Sequence, residues 1–96
     1  MKITSHRDAS KRLTLSIYDY RCEKYSELKQ NLKNKFNLKD KTQTITGFDE
    51  VFQELFNKDG QVSIDWDIWG GFLVTALNRE SEPLVNKIKE YLLLIL

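Results

Sequence analysis

The chain has 96 residues, of which 41% are hydrophobic and 30% are charged, and its formal net charge is +1. This length is typical of one domain with its own core, and the apolar content excludes an intrinsically disordered chain. The longest purely apolar run, Leu92 to Leu96, is far shorter than the roughly 20 residues of a membrane-spanning helix, so we expect one domain over residues 1–96 without a transmembrane segment.

The single cysteine and the first residues bear on the cellular compartment. Cys22 has no second cysteine with which to form an intramolecular disulfide. The segment from Met1 to His6 lacks the apolar core of a secretory signal. These features favour the reducing cytoplasm as the location of the protein.

The first third of the chain predicts strands followed by a helix. Residues 12–18 alternate apolar and polar side chains, which is the period of a strand with one buried face, and Ile3 begins an earlier short strand that turns at residues 7–10. Beyond Arg21 the apolar spacing changes to three or four residues, which predicts an amphipathic helix over residues 21–36. The apolar stripe of this helix comprises Cys22, Tyr25, Leu28, Leu32 and Phe36.

The middle of the chain contains a segment open to two interpretations and then a second predicted helix. Residues 42–46 are rich in β-branched side chains and form either a short edge strand or a polar connection. Thr46 is suited to cap a helix, because Asp49 and Glu50 then fall in its first turn, where the helix dipole favours negative charge. This helix ends near Asn57, and its apolar residues have helical spacing at Phe48, Val51, Phe52, Leu55 and Phe56.

The next segment predicts a hairpin. Residues 62–67 alternate in character, and residues 72–77 are apolar on nearly both faces, with a two-glycine turn between them. Leu73 and Leu77 lie on the face opposite the other apolar residues of the second strand, so both faces of that strand need cover. The helices are expected to supply it.

The last segment predicts a helix that runs to about Leu94. It starts at Ser81, and Pro83 costs little in its first turn, where an N–H has no intrahelical partner. Leu93, Leu94 and Leu96 widen the apolar surface beyond one face. A core between the sheet and a neighbouring helix is the favoured cover for this end, and a homodimer interface or a partner's groove is the alternative.

The order strand, helix, edge, helix, hairpin, helix predicts the α+β class. We expect an antiparallel sheet of three or four strands packed with about three helices.

The sequence offers few residues for catalysis or metal binding. His6 is the only histidine, and Cys22 belongs to the apolar stripe of its helix, so a nucleophile with an orienting base is not expected. A zinc site needs several Cys or His ligands, which the chain lacks. We therefore predict no enzymatic activity, no metal and no cofactor.

Two acids and a tryptophan around the predicted hairpin are the candidate functional residues. Asp65 and Asp67 project from the same side of a strand, an arrangement that binds a divalent cation, serves a small hydrolase or, most simply, forms a solvated face. Trp66 belongs to the buried alternation, whereas Trp69 in the turn is either partly exposed or folded back over the sheet edge. We select Asp65, Asp67 and Trp69 for partner binding, because tryptophan flanked by carboxylates suits a basic protein surface.

The charges are distributed unevenly along the chain. Residues 1–41 contain 11 Lys/Arg and 5 Asp/Glu, whereas residues 42–96 contain 4 and 9. This asymmetry indicates either binding faces of opposite sign or two halves that attract each other within the fold. The basic residues of the helix over 21–36 make a nucleic-acid-binding accessory protein the alternative function, although they alternate with acids as on an ordinary solvated face.

The stretch from Val62 through Trp66, Trp69 and Phe72 to Tyr91, together with the size of the chain, resembles small bacterial immunity proteins, which neutralise a toxin by occluding it. The resemblance is architectural, covers little more than the last third of the chain and transfers no residue roles. It implies a non-enzymatic protein-binding domain whose acidic second half faces a basic toxin domain, such as a nuclease.

Overall fold

The computed structural model describes residues 2–96 as a seven-stranded antiparallel sheet with two α-helices. Met1, which the sequence analysis includes in the domain, lies outside the described residues. The helices are α1 (Tyr25–Phe36) and α2 (Glu82–Ile95), and a single 3-10 turn precedes each of them. The strands are β1 (Thr4–Arg7), β2 (Leu13–Ile17), β3 (Lys39–Asp40), β4 (Ile45–Thr46), β5 (Glu50–Asn57), β6 (Gly60–Asp67) and β7 (Gly71–Ala76).

The strand order across the sheet is β1-β2-β7-β6-β5-β3, and β4 also pairs with the outer edge of β5. The predicted α+β class is confirmed. The predicted count of three or four strands with about three helices is wrong, because the sheet has seven strands and the described residues contain two α-helices. The extra strands are the short edges and one long strand where a helix was predicted.

The predicted helix over residues 46–57 is replaced by β5, which pairs with β6 residue by residue from Glu50 to Asn57. Apolar residues at 51, 52, 55 and 56 fit both a helical stripe and the two faces of a strand. In the structure Val51, Gln53 and Leu55 are buried, which is the strand period. The two-residue turn before Gly60 decides between these periods, since it lets β5 pair with β6 as a hairpin. Thr46 consequently lies in β4 and caps no helix.

Most of the other predicted elements are confirmed. The strands near residues 3 and 12–18, the later hairpin and the last helix all form. The helix predicted over residues 21–36 also forms, and it begins at Tyr25. Residues 42–46 contain the short edge strand β4, which resolves the two interpretations of that segment. Cys22 is a correction, because it lies exposed in the 3-10 turn before α1 and not in the buried stripe. A 3-10 turn has three residues per turn, so it does not continue the stripe of the α-helix.

Both helices pack against the same face of the sheet. Tyr25 of α1 donates a hydrogen bond from its hydroxyl to the carbonyl oxygen of Ile64, and its ring lies 5.8 Å from that of Phe72. Helix α2 buries Leu84, Val85, Ile88 and Leu92 in the same core. The expectation that helices cover both faces of β7 is therefore wrong. Alternation along the strand leaves Leu73 on the side away from them.

The apolar C-terminal end is only partly covered. Leu92 is fully buried, whereas Leu93 and Leu94 are exposed, Leu94 at 84%. The favoured cover, a core between sheet and helix, thus stops at Leu92, and the proposed homodimer contact stays a prediction. No helix within residues 2–96 has the length and apolar character that crossing a bilayer requires.

Candidate functional site

The sheet has one face without helices, which we call the open face. Because paired residues in antiparallel strands share a face, the register defines one row that runs across six strands. Beginning at β1, this row consists of Thr4, Ser16, Leu73, Asp65, Phe52 and Ile45.

A cleft of about 440 Å³ lies on this open face over β2, β7 and β6. We call it the open-face cleft. Its lining includes all three residues that the sequence selected, Asp65, Asp67 and Trp69. It also includes Ser16, which lies in β2, and Tyr18, which directly follows β2. The structure thus brings the predicted residues together and adds partners from a distant part of the chain.

Asp65 is a half-buried acid that lines this cleft. It lies directly opposite Leu73 in the register, and Ser16 flanks Leu73 on the other side. The Ser63 hydroxyl donates a hydrogen bond of 2.5 Å to Asp65 Oδ1. Burial raises the pKa of Asp65 to about 6, the negative charge of Asp67 acts in the same direction, and the Ser63 hydrogen bond opposes the rise.

Asp67 shapes the turn that carries Trp69. Its Oδ1 accepts hydrogen bonds from the backbone N–H groups of Trp69, at 3.0 Å, and Gly70. An aspartate that receives N–H groups two and three residues ahead stabilises a tight turn. Asp67 therefore has a structural role in addition to its place in the cleft.

The two tryptophans of the hairpin have different environments. Trp69 is 80% exposed, which resolves the two alternatives left by the sequence in favour of exposure. Trp66 is half-buried against the core, and its Nε1 donates a hydrogen bond of 2.8 Å to the carbonyl oxygen of Tyr20. Tyr18 is 56% exposed and also lines the cleft, so two exposed aromatic rings border an acidic depression.

Gly71 holds the Trp69 turn close to β2. Its φ is +71°, a left-handed conformation that side chains rarely adopt. A Cβ at this position would lie 2.1 Å from the carbonyl oxygen of Ile17. Only glycine allows β7 to begin this close to the end of β2, and this approach places Tyr18 and the Trp69 turn at the same cleft.

Ser16 is the functional candidate that the sequence did not reveal. It is fully buried, and its Oγ has no hydrogen-bond partner among residues 2–96. Thr4, which is paired with Ser16 in the register, has a buried Oγ1 that likewise lacks a partner among residues 2–96. An unpaired buried hydroxyl costs free energy and therefore needs a structural or functional explanation. The alternating Thr14 and Ser16 of β2 are the only sequence signal for it, and their proximity to Asp65 depends on a pairing with β7 that the sequence does not display.

The opposite end of the cleft is formed by the β1–β2 turn. Arg12, which also lines the cleft, pairs through its Nε with Asp8 Oδ2 at 3.1 Å. His6 is paired with Thr14 near the start of β2, whereas Cys22 lies beyond the other end of that strand. His6 and Cys22 therefore do not form a catalytic pair. Within residues 2–96 no group of three His, Cys, Asp or Glu side chains is arranged to hold a metal ion.

A second depression, of about 500 Å³, lies near the β5–β6 turn at Asn57 and Gly60. Several of its polar groups are hydrogen-bonded within the protein. Asn57 Oδ1 accepts from the N–H groups of Asp59 and Gly60, and Asn78 Oδ1 accepts from Ser81. These contacts hold the turn together, so this depression is the weaker candidate for ligand binding.

The basic residues of the first helix are largely engaged within the protein. Lys29 Nζ donates to Gln53 Oε1 at 2.8 Å, and burial lowers the pKa of Lys29. Lys33 forms an ion pair with Asp40 at 2.8 Å. Two further contacts join Lys35 to the ring of Tyr91 at 5.4 Å and Arg21 to Glu23 at 3.4 Å.

Comparisons of the chain with protein-family models, with curated proteins and with solved structures find no match in any of the three. The function of the chain is therefore inferred from the open face and its cleft.

Proposed function

We propose that the chain is a small non-enzymatic protein-binding domain of the cytoplasm that neutralises a basic toxin domain by covering it with the open face. The observation that carries this proposal is the exposed Trp69 beside two acids on a sheet face without helices. Trp69 is 80% exposed, and Asp65 and Asp67 line the cleft next to it.

The chemistry of this face suits a basic protein surface. Exposed tryptophan and tyrosine are enriched among the residues that carry most of the binding energy in protein interfaces. Acids beside them provide complementary charge for a basic partner, which accelerates association and selects against acidic partners. Beyond Asp65 the same row continues with Phe52 and the exposed Ile45, so an apolar surface adjoins the acidic one.

The contacts of the basic helix support this proposal over the nucleic-acid alternative. Phosphate binding requires Lys and Arg side chains that are free to approach a nucleic-acid backbone. Lys29 and Lys33 are instead held by Gln53 and Asp40. We infer that these lysines fasten α1 to the sheet.

The test is affinity capture from the native lysate with Trp69→Ala and with the double variant Asp65→Asn/Asp67→Asn. We expect the unmodified protein to retain one basic polypeptide in about equimolar amount, and both variants to lose it, because each removes a principal contact of the interface. The Asn replacements keep the side-chain shapes and the acceptor oxygen of the turn. Adding the unmodified protein to the captured polypeptide should also abolish its toxic activity.

Two matched variants serve as controls. Leu94→Ala removes an equally exposed apolar side chain, and Glu80→Gln/Glu90→Gln removes two exposed negative charges outside the cleft. Both should capture the polypeptide normally. Capture that is unchanged by the cleft variants, or recovery of nucleic acid instead of protein, would contradict the proposal.

A further inference from the structure

The open-face cleft combines acidic side chains with two exposed aromatic rings. We propose that the open-face cleft receives an arginine of the basic partner, with its guanidinium group between Trp69 and Tyr18 and facing Asp65. This inference rests on the proposed function, and it names the chemistry that the cleft recognises.

The cleft presents more than one hydrogen-bond acceptor to such a group. Asp65 and Asp67 each line it, and the buried Oγ of Ser16 beneath it has no partner among the described residues. Asp67 uses Oδ1 for the turn, so its Oδ2 is the oxygen that remains for a ligand. A guanidinium carries five N–H donors in a planar fork, whereas an ammonium is a compact point charge. Several acceptors spread over the cleft therefore favour arginine over lysine.

The aromatic rim favours the same ligand. Trp69 and Tyr18 are exposed rings at the edge of an acidic depression. A guanidinium stacks on aromatic faces and is attracted by their π-electrons, with tryptophan the strongest partner. The cleft volume of about 440 Å³ is ample for one such side chain.

Among residues 2–96, no lysine or arginine forms an ion pair with Asp65. Arg12 lies within electrostatic reach of Asp65, but its Nε is paired with Asp8. Desolvation of a carboxylate is costly unless a cation or hydrogen bonds compensate it. A guanidinium in the cleft would supply that compensation.

This proposal implies a pH dependence of binding. The guanidinium favours the ionised form of Asp65, and burial raises the pKa of that group to about 6 in the free protein, so affinity should fall as the pH drops below about 6. The other titratable or charged residues on the surrounding elements are His6, Asp8, Arg12, Tyr18, Glu50, Glu54 and Asp67.

The experiment titrates the full chain with N-acetyl-arginine methylamide and follows the indole N–H signals by NMR. Trp69 should shift with saturation in the millimolar range, while Trp66, whose indole is bonded to the Tyr20 carbonyl, should not. Asp65→Asn should weaken this binding at least tenfold, since it removes the charge at the centre of the site, and Glu90→Gln should leave it unchanged.

The citrulline and lysine analogues of this compound provide the decisive comparison. Citrulline has nearly the same shape without the charge, and lysine has the charge without the fork. Equal shifts with either analogue, an unchanged affinity in Asp65→Asn, or no saturable shift of Trp69 would each overturn the arginine proposal.

This test is separable from that of the proposed function. If capture of the toxin requires Asp65 and Trp69 while the arginine compound fails to bind, the arginine inference is wrong and the inhibitor role stands. If capture is indifferent to these residues, the inhibitor role is wrong regardless of what the small compound does.

Discussion

Asp65 lowers the stability of the folded protein when it is ionised, and it is also a candidate for partner binding. Its carboxyl group lies in a half-buried position on β6, where Ser63 is its hydrogen-bond donor and Asp67 adds a second negative charge. Groups with strongly perturbed pKa values concentrate at functional sites, because recognition uses environments that folding alone would avoid. Removal of the charge should then affect stability and binding in opposite directions.

We expect Asp65→Asn to stabilise the free protein at neutral pH. The pKa of Asp65 is about 6 in the folded state, against an ordinary value of 3.8, so the folded protein binds the proton more tightly than the unfolded chain. Its contribution to stability is greatest below about pH 4, declines as the pH rises to about 6 and is then fully lost. The difference corresponds to at most about 3 kcal/mol.

Urea denaturation between pH 4 and pH 8 measures this effect. Asp65→Asn should remove much of the decline in the free energy of unfolding over that range, and Asp67→Asn in the same strand is the comparison. The Ser63 hydrogen bond can still be accepted by the Asn amide oxygen, so an unfavourable change at pH 8 would show that the ionised carboxylate stabilises the fold.

At the scale of the element, the apolar pattern of β5 is compatible with either a helix or a strand. Apolar side chains at 51, 52, 55 and 56 form a stripe on a helix but occupy both faces of a strand. In the structure Leu55 is fully buried on the helix-covered face, while Phe56 is 39% exposed. Two large neighbours of similar hydrophobicity thus have different roles.

Alanine replacements distinguish these roles. Leu55→Ala should lower the free energy of unfolding by about 2–5 kcal/mol, the usual cost for a buried leucine, because it leaves a cavity in the core. Phe56→Ala should cost less than about 1.5 kcal/mol, since much of that ring already contacts solvent. Both are measured by chemical denaturation, and similar large losses for the two residues would favour a helix in this segment.

At the scale of the whole molecule, the charge asymmetry is partly resolved inside the fold. Arg7 and Lys41 from the basic first part pair with Glu82 and Glu54 from the acidic second part, and the chain carries a net charge of only +1. Exposed pairs of this kind contribute little stability. They do reduce the positive potential that a nucleic acid would encounter.

We therefore expect weak nucleic-acid binding. Fluorescence anisotropy with a labelled duplex should give a dissociation constant above about 100 µM at physiological salt, the weak end of non-specific binding. Lys33→Gln/Lys35→Gln is the control for the helix surface. Tight binding that falls steeply with added salt and is lost in this variant would contradict the expectation and favour the accessory role.

The sequence by itself determined the α+β class, the early strand, both helices, the later hairpin and three residues that meet in one cleft. These features depend on periods of two or of three to four residues, on turn residues and on side chains close along the chain, which are all local. Asp65, Asp67 and Trp69 lie within five positions, so one hairpin is enough to bring them together.

Only the tertiary structure decided that residues 50–57 form a strand, that both helices cover one face, and that Ser16 and Tyr18 complete the cleft. Each of these outcomes depends on pairing between strands far apart in the chain, such as β2 with β7. The apolar pattern of β5 is compatible with two periods, and the free energy of pairing with β6 selects between them. A side chain's place on the open or the covered face follows from that register, because a shift by one residue would exchange the two faces.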